Sequence, residues 1–248
     1  MTVALQPAGD PLPGPDTTVA RMVSVFRHGS TQPALVETET GVRWVLKFSG
    51  AGPGPRGLLI EFLAGRLAAL LGLAVPEARP LYLRPGFPWQ VGADDYDEMV
   101  QRSFGWNLGL AYLDGARDVT LGEFRSLAVG FVTRLAAVDR LLQNVDRTPR
   151  NANLMWDSAG TVWAIDHDAC LFLDRLIGNR LDPSPRLPPG HFLAATAAAA
   201  AGRQALQEVP AAAIAALTLG IPGSWLETQP LTPAELGVRL VEYVARFR

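Results

Sequence analysis

Between residues 19 and 49 apolar and polar positions alternate in a way that predicts strands. Val19, Met22, Val23 and Val25 open the pattern, residues 34–39 continue it, Thr40-Gly41 reads as a turn, and residues 42–49 form a second run. A period of two places Val42, Trp44, Leu46 and Phe48 on one face and Arg43, Val45, Lys47 and Ser49 on the other. Between the first two strands, His28-Gly29-Ser30-Thr31-Gln32-Pro33 is a loop of small and hydroxyl-bearing residues. The period then changes. After a loop over residues 50–57, Leu59, Phe62, Leu63, Leu67, Leu70 and Leu71 predict a helix over 58–71, with Glu61 inside it and Gly72 suited to its C-terminal stop. Residues 75–83 read as an extended segment interrupted by Pro76 and Pro80. Residues 84–107 read as irregular, with an acidic patch at Asp94, Asp95, Asp97 and Glu98, and residues 108–113 as a short strand.

The second half is helical in pattern. Thr120 with Glu123 fits a capping box, and Phe124, Leu127, Phe131, Leu135 and Val138 follow at helical spacing, so one helix is expected over 120–144. A loop over 145–152 leads into two short strands, 153–156 and 161–165, joined by the hairpin-forming Asp157-Ser158-Ala159-Gly160. Beyond Cys170 the pattern is helical to the end, with a Pro-rich break at 183–189. There is no internal repeat. The expected fold class is α+β: a flexible lead-in over 1–17, a small β-rich lobe over 18–113, and a larger, mainly helical lobe over 114–248.

Composition narrows the classes. A chain of 248 residues with 48% hydrophobic residues can bury a core and does not read as disordered. A net charge of -2 argues against a basic nucleic-acid binder, and no direct nucleic-acid partner is expected. The single cysteine excludes a disulfide framework and a multi-cysteine zinc site. The most apolar stretch, 192–219, is interrupted by Arg203, Gln204, Gln207, Glu208 and Pro210, short of the ~20 residues a membrane span needs. The first residues show neither a basic start nor an apolar leader core, so a cytoplasmic, reducing compartment is expected. One detail points to chemistry. Among 22 Lys+Arg residues the only lysine is Lys47. A composition drifting towards arginine would replace a dispensable surface lysine, whereas a site that needs a compact ammonium cannot accept a planar fork.

Four features, that lysine among them, belong together. Lys47 projects from a strand; Glu61 follows on a helix; Asp146 and Asn151 stand five apart in the loop after the long helix, a D-x-x-x-x-N spacing; and Asp166-His167-Asp168 follows the second hairpin strand. Phosphoryl transfer needs such a set: an ammonium for the phosphates, a carboxylate to hold it, hard oxygen donors for Mg²⁺, and a carboxylate to orient the attacking hydroxyl. The hairpin carries the chain out from Asn151 and back, so that Asp166 can meet Asn151 at one cation. Each residue taken singly also has an ordinary reading. Lys47 could snorkel from a strand, Glu61 could be an exposed helix charge, and Asp146 and Asn151 could be turn residues. Asp139 either braces the loop from the helix or lies on the surface. Arg147 and Arg150 either touch phosphate or pair with acids such as Asp168. His167 reads as structural, Cys170 as a packed small residue, and Trp44, Trp156 and Trp163 as core.

From about Val25 to Leu173 the sequence resembles the HipA-like kinases, a bacterial group with the two-lobed architecture of protein kinases and phosphatidylinositol 3/4-kinases. The residues that carry the resemblance are His28-Gly29-Ser30-Thr31-Gln32-Pro33, Val45-Leu46-Lys47-Phe48, Glu61-Phe62-Leu63-Ala64, the run from Asp139 to Asn153, and Ala164-Ile165-Asp166-His167-Asp168. The resemblance implies a two-lobed protein-kinase-like fold and an ATP- and Mg²⁺-dependent phosphotransferase acting on a protein Ser/Thr hydroxyl or a smaller acceptor. By it, Lys47 would pair the α- and β-phosphates and Glu61 would anchor Lys47. Asp146 would orient or deprotonate the acceptor hydroxyl, and Asn151 and Asp166, with Asp168 as a further candidate, would bind Mg²⁺. Gly29, Ser30 and Thr31 would cover the phosphates, and the adenine hinge would fall near residues 109–113. The sequence departs from related kinases in having no G-x-G-x-x-G loop and no Asp-Phe-Gly, Asp168 standing where that glycine would be. An antitoxin-like partner finds no recognisable docking segment. Two alternatives stay open: a catalytically weak pseudokinase or nucleotide-binding module, and a small-molecule or lipid kinase. A third reading, Asp166-His167-Asp168 as the D-x-D of a dehalogenase-type phosphohydrolase, calls for an N-terminal position and a downstream lysine, and the sequence has neither.

Overall fold

The computed structural model describes residues 9–26, 31–89, 92–148, 150–177, 187–188, 191, 193, 206, 208–229 and 231–247. It is a mixed α and β chain that divides into two units. Unit 1 comprises residues 1–62, 78–112 and 218–235, and unit 2 comprises 63–77, 113–217 and 236–248.

Unit 1 is built on a five-stranded antiparallel sheet. Its strands are β1 (Val19–Val25), β2 (Ala34–Thr38), β3 (Arg43–Lys47), β4 (Ala78–Leu83) and β5 (Gly105–Ala111), in the order β1-β2-β3-β5-β4. The alternation expected for β3 holds where it matters. Trp44, Leu46 and Phe48 join Met22, Val36, Leu81 and Leu83 in one core. Val42 lies outside the strand and is exposed, because the turn at Gly41 (φ 80°) precedes pairing. Register shifts bend β1, and Tyr82 N of β4 donates to Thr17 O at 2.7 Å, so the two outer strands meet at one end. β5 begins earlier than expected and pairs with β4 along its length, with Leu81 opposite Asn107. Gly109 suits its place in β5 because a Cβ there would lie 2.4 Å from Leu81 Cδ1. The stretch expected to be irregular contains a helix, α2 (Asp94–Gln101). Its acidic patch fills the first turn, where the helix dipole favours carboxylates, while Tyr96, Met99 and Val100 are buried on the sheet core.

Helix α1 (Pro55–Leu70) starts with proline at a position that needs no N–H. It ends at Gly72, whose left-handed backbone (φ 80°) lets Leu73 N reach back to Ala68 O at 3.1 Å. The division between the units falls within this helix, after Phe62. Its burial is broader than a stripe: Leu58, Leu59, Ile60, Phe62, Leu63, Ala64, Leu67 and Ala68 are all buried, and Glu61 with them.

Unit 2 contains a three-stranded antiparallel sheet in the order β6 (Arg117–Asp118), β7 (Leu154–Trp156) and β8 (Val162–Ala164). The hairpin turn is held by Asp157, whose carboxylate accepts from Ala159 N, Thr161 N and Trp163 Nε1. Trp163 is therefore half-buried as a donor to the turn rather than a core residue. The capping box at Thr120 and Glu123 forms, but the expected long helix is two: α3 (Leu121–Phe124) and α4 (Val129–Leu142). Ser126 Oγ donates to the Glu123 carbonyl oxygen at 2.7 Å, a local bond that competes with helix continuation. Leu135, Val138, Leu141 and Leu142 of α4 are buried, together with residues of α5 (Phe172–Ile177) and of the C-terminal helix. After α5, the described helices are α6 (Ala211–Ala215) and α7 (Pro233–Ala245), with 3₁₀ turns at 216–218 and 223–225. Tyr243 Oη of α7 donates to Leu141 O at 2.5 Å at the end of α4. Most of the Pro-rich break at 183–189 lies outside the described residues. Among the described residues no helix is long and apolar enough to cross a membrane.

Candidate active site

In unit 1, β3 delivers Lys47 at its last position, paired across the sheet with Leu108. The chain beyond it is fixed by the buried Asn107, whose Oδ1 accepts from Ser49 N at 2.8 Å while its Nδ2 donates to Ser103 O and Gly105 O. Gly50 N then donates to Ser103 Oγ at 2.9 Å. Lys47 Nζ lies 2.5 Å from Glu61 Oε2, with the two residues only 8% and 2% exposed. Neither the snorkelling lysine nor the exposed helix charge survives this geometry. A carboxylate with so little water access needs a cation, and the only lysine of the chain supplies it. Thr31 is half-buried, and a side chain at Gly52 in the loop before α1 would meet its methyl at 3.2 Å. Gly29 and Ser30 lie outside the described residues. Residues 109–111 of the expected hinge are in β5.

In unit 2, α4 stops at Gln143, which takes a left-handed conformation (φ 53°) as Asn144 N closes on Asp139 O at 2.9 Å. The next residues form the loop. Asn144 Oδ1 accepts from Asp146 N at 3.0 Å, which sets the start of the turn. Asp146 is half-buried; its Oδ2 accepts from Asn151 Nδ2 at 2.6 Å and from Asn153 Nδ2 at 3.2 Å. Thr148 and Asn151 exchange backbone hydrogen bonds at 3.0 and 3.1 Å, closing the exposed tip. With its NH₂ turned to Asp146, Asn151 keeps its amide oxygen as an acceptor.

Beneath this loop runs a buried charged network. Asp139 and Arg147 are both wholly inaccessible, with Arg147 Nε 2.9 Å from Asp139 Oδ2 and 3.1 Å from Oδ1. Arg147 Nη1 donates to Ala152 O at 2.8 Å and to Asn153 O at 2.7 Å, and Nη2 lies 3.2 Å from His167 Nε2. An arginine can only donate, so His167 accepts there. His191 Nε2 stands 3.4 Å from Asp139 Oδ2. Burial alone would raise the Asp139 carboxyl. Arg147 foremost and the His191 hydrogen bond outweigh it and hold the group below the ordinary carboxylate range. Asp139 thus braces the loop and is no surface acid, Arg147 faces inward to Asp139, and Arg150 is exposed.

Beyond β8, Asp166 adopts a left-handed backbone (φ 57°), a conformation that costs a non-glycine residue free energy and clusters at functional positions. Asp166 and Asp168 are half-buried, and each offers a carboxylate oxygen within 4.8 Å of the other's. Two hard oxygens at that separation fit a divalent cation of the magnesium class. The strand that leads to them is the edge of an antiparallel three-stranded sheet, not the parallel unit a dehalogenase-type motif requires.

The HipA-like kinase family matches residues 19–177, well over half of the chain. The chain belongs to the HipA-like kinases. A solved structure, that of a Helicobacter pylori proinflammatory kinase, CtkA, has the same fold. The two align with a TM-score of 0.53 at 14% identity over 95% of this chain and 94% of that one. None of the curated proteins compared matches the chain. In this HipA-like kinase Lys47 stands beside Glu61 in unit 1, and in unit 2 Asp146 stands beside Asn151 and Asp166 beside Asp168. Sequence reasoning missed Asn144 and Asn153. Their signal was faint: three asparagines, 144, 151 and 153, crowd a loop whose only obvious motif uses one of them.

Proposed function

We propose that this HipA-like kinase transfers the γ-phosphoryl group of ATP to a hydroxyl in a Mg²⁺-dependent reaction, and that the acceptor is a serine or threonine of a protein. The observation that carries the reading is the Asp146–Asn151 pair, at 2.6 Å, on a loop braced by a buried arginine. In this reading the two units serve as the nucleotide-covering and catalytic lobes. Lys47, held by Glu61, supplies a fixed ammonium for the nucleotide phosphates. Its almost complete burial supports the role, because an ammonium that has already shed most of its water binds phosphate oxygens with little further desolvation. Thr31, half-buried in the loop before β2, would cover those phosphates. Asp146 orients the acceptor hydroxyl and receives its proton as the new P–O bond forms and the bond from the γ-phosphorus to the β–γ bridging oxygen breaks. ADP leaves and the proton passes on to solvent. Asn151, Asp166 and Asp168 would hold the Mg²⁺, which supplies charge neutralisation at the phosphates when bound. One neutral and two anionic ligands suit a dication without overcompensating it.

The test is transfer of labelled phosphate from ATP, first to the protein itself and then to a cell extract, with Asp146→Ala, Asp166→Ala and Lys47→Met in parallel. The wild-type chain labels an acceptor in the presence of Mg²⁺ and the three variants lose at least about a hundredfold in rate. Equal labelling by all four chains refutes the reading. Nucleotide and Mg²⁺ binding with no labelled acceptor refutes turnover and leaves a nucleotide-binding module.

A further inference from the structure

We propose that Trp225 is a positioning residue for the Lys47–Glu61 pair, acting through helix α1. Residues 218–235 belong to unit 1, although the chain on either side of them belongs to unit 2. Within that segment the 3₁₀ turn 223–225 presents Trp225, which is buried. Its ring meets Phe62 of α1 edge-on, with centroids 5.7 Å apart and planes at 83°. Its indole Nε1 donates to Trp106 O of β5 at 3.0 Å. Phe62 follows Glu61 directly, and Trp106 stands two residues before Leu108, the partner of Lys47 across the sheet. One side chain therefore joins the helix that carries the carboxylate to the strand beside the one that carries the ammonium.

The segment is fastened on both sides of Trp225. Asp10 Oδ1 accepts from Ser224 N at 2.9 Å, at the start of the 3₁₀ turn, and Arg56 Nη1 in the first turn of α1 donates to Gln229 Oε1 at 2.7 Å. Arg56 and Phe62 lie about 9 Å apart along the helix axis and about 120° apart around it, so the two contacts resist both sliding and turning of α1. Turning is what the pair cannot tolerate. A rotation of about 30° carries a group at the helix's outer radius of about 5–6 Å through about 3 Å. That is enough to part Lys47 Nζ from Glu61 Oε2, which lie 2.5 Å apart. The inference rests on the reading of Lys47 and Glu61 as the pair that meets the nucleotide phosphates, because an ammonium released from its carboxylate is no longer held in place for them.

The only lysine of the chain is Lys47, so lysine labelled with carbon-13 at Cε gives a single NMR signal that reports on the pair in the nucleotide-free protein. Glu61→Gln removes the carboxylate and sets where that signal goes when the pair is lost. Trp225→Leu deletes the ring and the donor and moves the Lys47 signal most of the way to that position. Trp225→Phe keeps a ring against Phe62, deletes only the donor to Trp106 O, and moves the signal part of the way. Met22→Ala loosens the core of the same unit on β1 and lowers the melting temperature without moving the signal, the behaviour a merely stabilising role would also give the Trp225 variants. In the labelled-ATP assay Trp225→Leu lowers kcat/KM for ATP by about tenfold. If Trp225→Leu gives no folded protein, Trp225→Phe decides. A Lys47 signal at its wild-type position in every folded Trp225 variant, while Glu61→Gln displaces it, overturns the positioning role and leaves the kinase reading intact. Full turnover in Glu61→Gln overturns the reading of the pair, and with it the link from Trp225 to phosphate binding.

Discussion

Replacing Arg147 by methionine should cost this protein a large part of its stability, and the size of the loss can be built from its contacts. Methionine keeps most of the buried volume and removes every donor. Asp139 is then left wholly buried without its main cation, and breaking a buried pair from one side costs about 3–5 kcal/mol. Of the two carbonyls Arg147 Nη1 serves, that of Asn153 still accepts from Ile165 N. That of Ala152 loses its Arg147 donor at 2.8 Å, worth about 1 kcal/mol in a partly buried setting. The sum is about 4–6 kcal/mol, against about 5–15 kcal/mol for a whole domain. Arg147→Lys, which keeps a cation near Asp139 but cannot fork to both carbonyls and His167, should lose about half as much. Urea unfolding followed by circular dichroism and by tryptophan fluorescence measures both variants. If Arg147→Met gives no folded protein, Arg147→Lys still supplies the number. A loss under about 1 kcal/mol for Arg147→Met, the range of exposed ion pairs, would refute the claim that this pair braces the loop.

Two further outcomes follow from the charges. Lys47→Met strands the buried Glu61 and should lower stability by about 3 kcal/mol, while Lys47→Met/Glu61→Gln recovers most of it but not phosphotransfer; thermal melts beside the labelled-ATP assay read both, and restored turnover in the double variant would sink the role given to Lys47. Stability should be level above about pH 5 and fall as the solution is acidified below about pH 4. Several carboxyls are depressed in the folded chain: Glu123, by Arg117 and then Thr120, to about 2; Glu37, chiefly by Arg43; Asp157, chiefly by the Trp163 indole; and Asp139 within its buried network. A depressed folded pKa stabilises above the unfolded value and is lost as pH falls through the folded one, so urea midpoints that rise between about pH 5 and pH 2 would contradict the assignment.

The parts of the fold legible in the sequence were those set by local chemistry. The alternation from Trp44 to Phe48, the capping box at Thr120 and Glu123, the stop at Gly72 and the hairpin at Asp157 to Gly160 each form where the pattern places them. The helix α2 was not legible because three of its first four residues are acidic. That composition reads as a solvated loop until the dipole of the first turn and the apolar Tyr96, Met99 and Val100 are taken together. The split between α3 and α4 was hidden because a helical period runs through it, and Ser126 breaks it with a side-chain bond that periodicity cannot register. Strand β6 is only two residues long, and its pairing with β7 is a tertiary fact. The site divides the same way. Residue type and spacing singled out Lys47, Asp146, Asn151 and Asp166. The support beneath them, Asp139 to Arg147 to the Asn153 carbonyl, depends on which way each side chain turns, and a sequence leaves both directions open.

That choice of direction carries the electrostatic logic of the loop. Asp146 and Arg147 are neighbours in sequence, and an arginine that meets a carboxylate frequently occupies both its oxygens in a fork. Here the arginine is turned inward to Asp139, and Asp146 is held by neutral amides instead. An amide donor orients a carboxylate without neutralising it, and it takes up one oxygen, not two. Asp139 is thus more than a brace. It removes the one cation that stands next to Asp146 in the chain and spends that cation on tying the outgoing strand of the hairpin to the loop. A buried ion pair is a poor source of net stability, because desolvation of both charges offsets most of their attraction. Its presence under an exposed loop tip is better explained by what it keeps away from Asp146 and by the carbonyls it fixes. The same reasoning applies to Lys47 and Glu61, where a carboxylate holds an ammonium in one place at the end of β3 and takes up only part of its donor capacity.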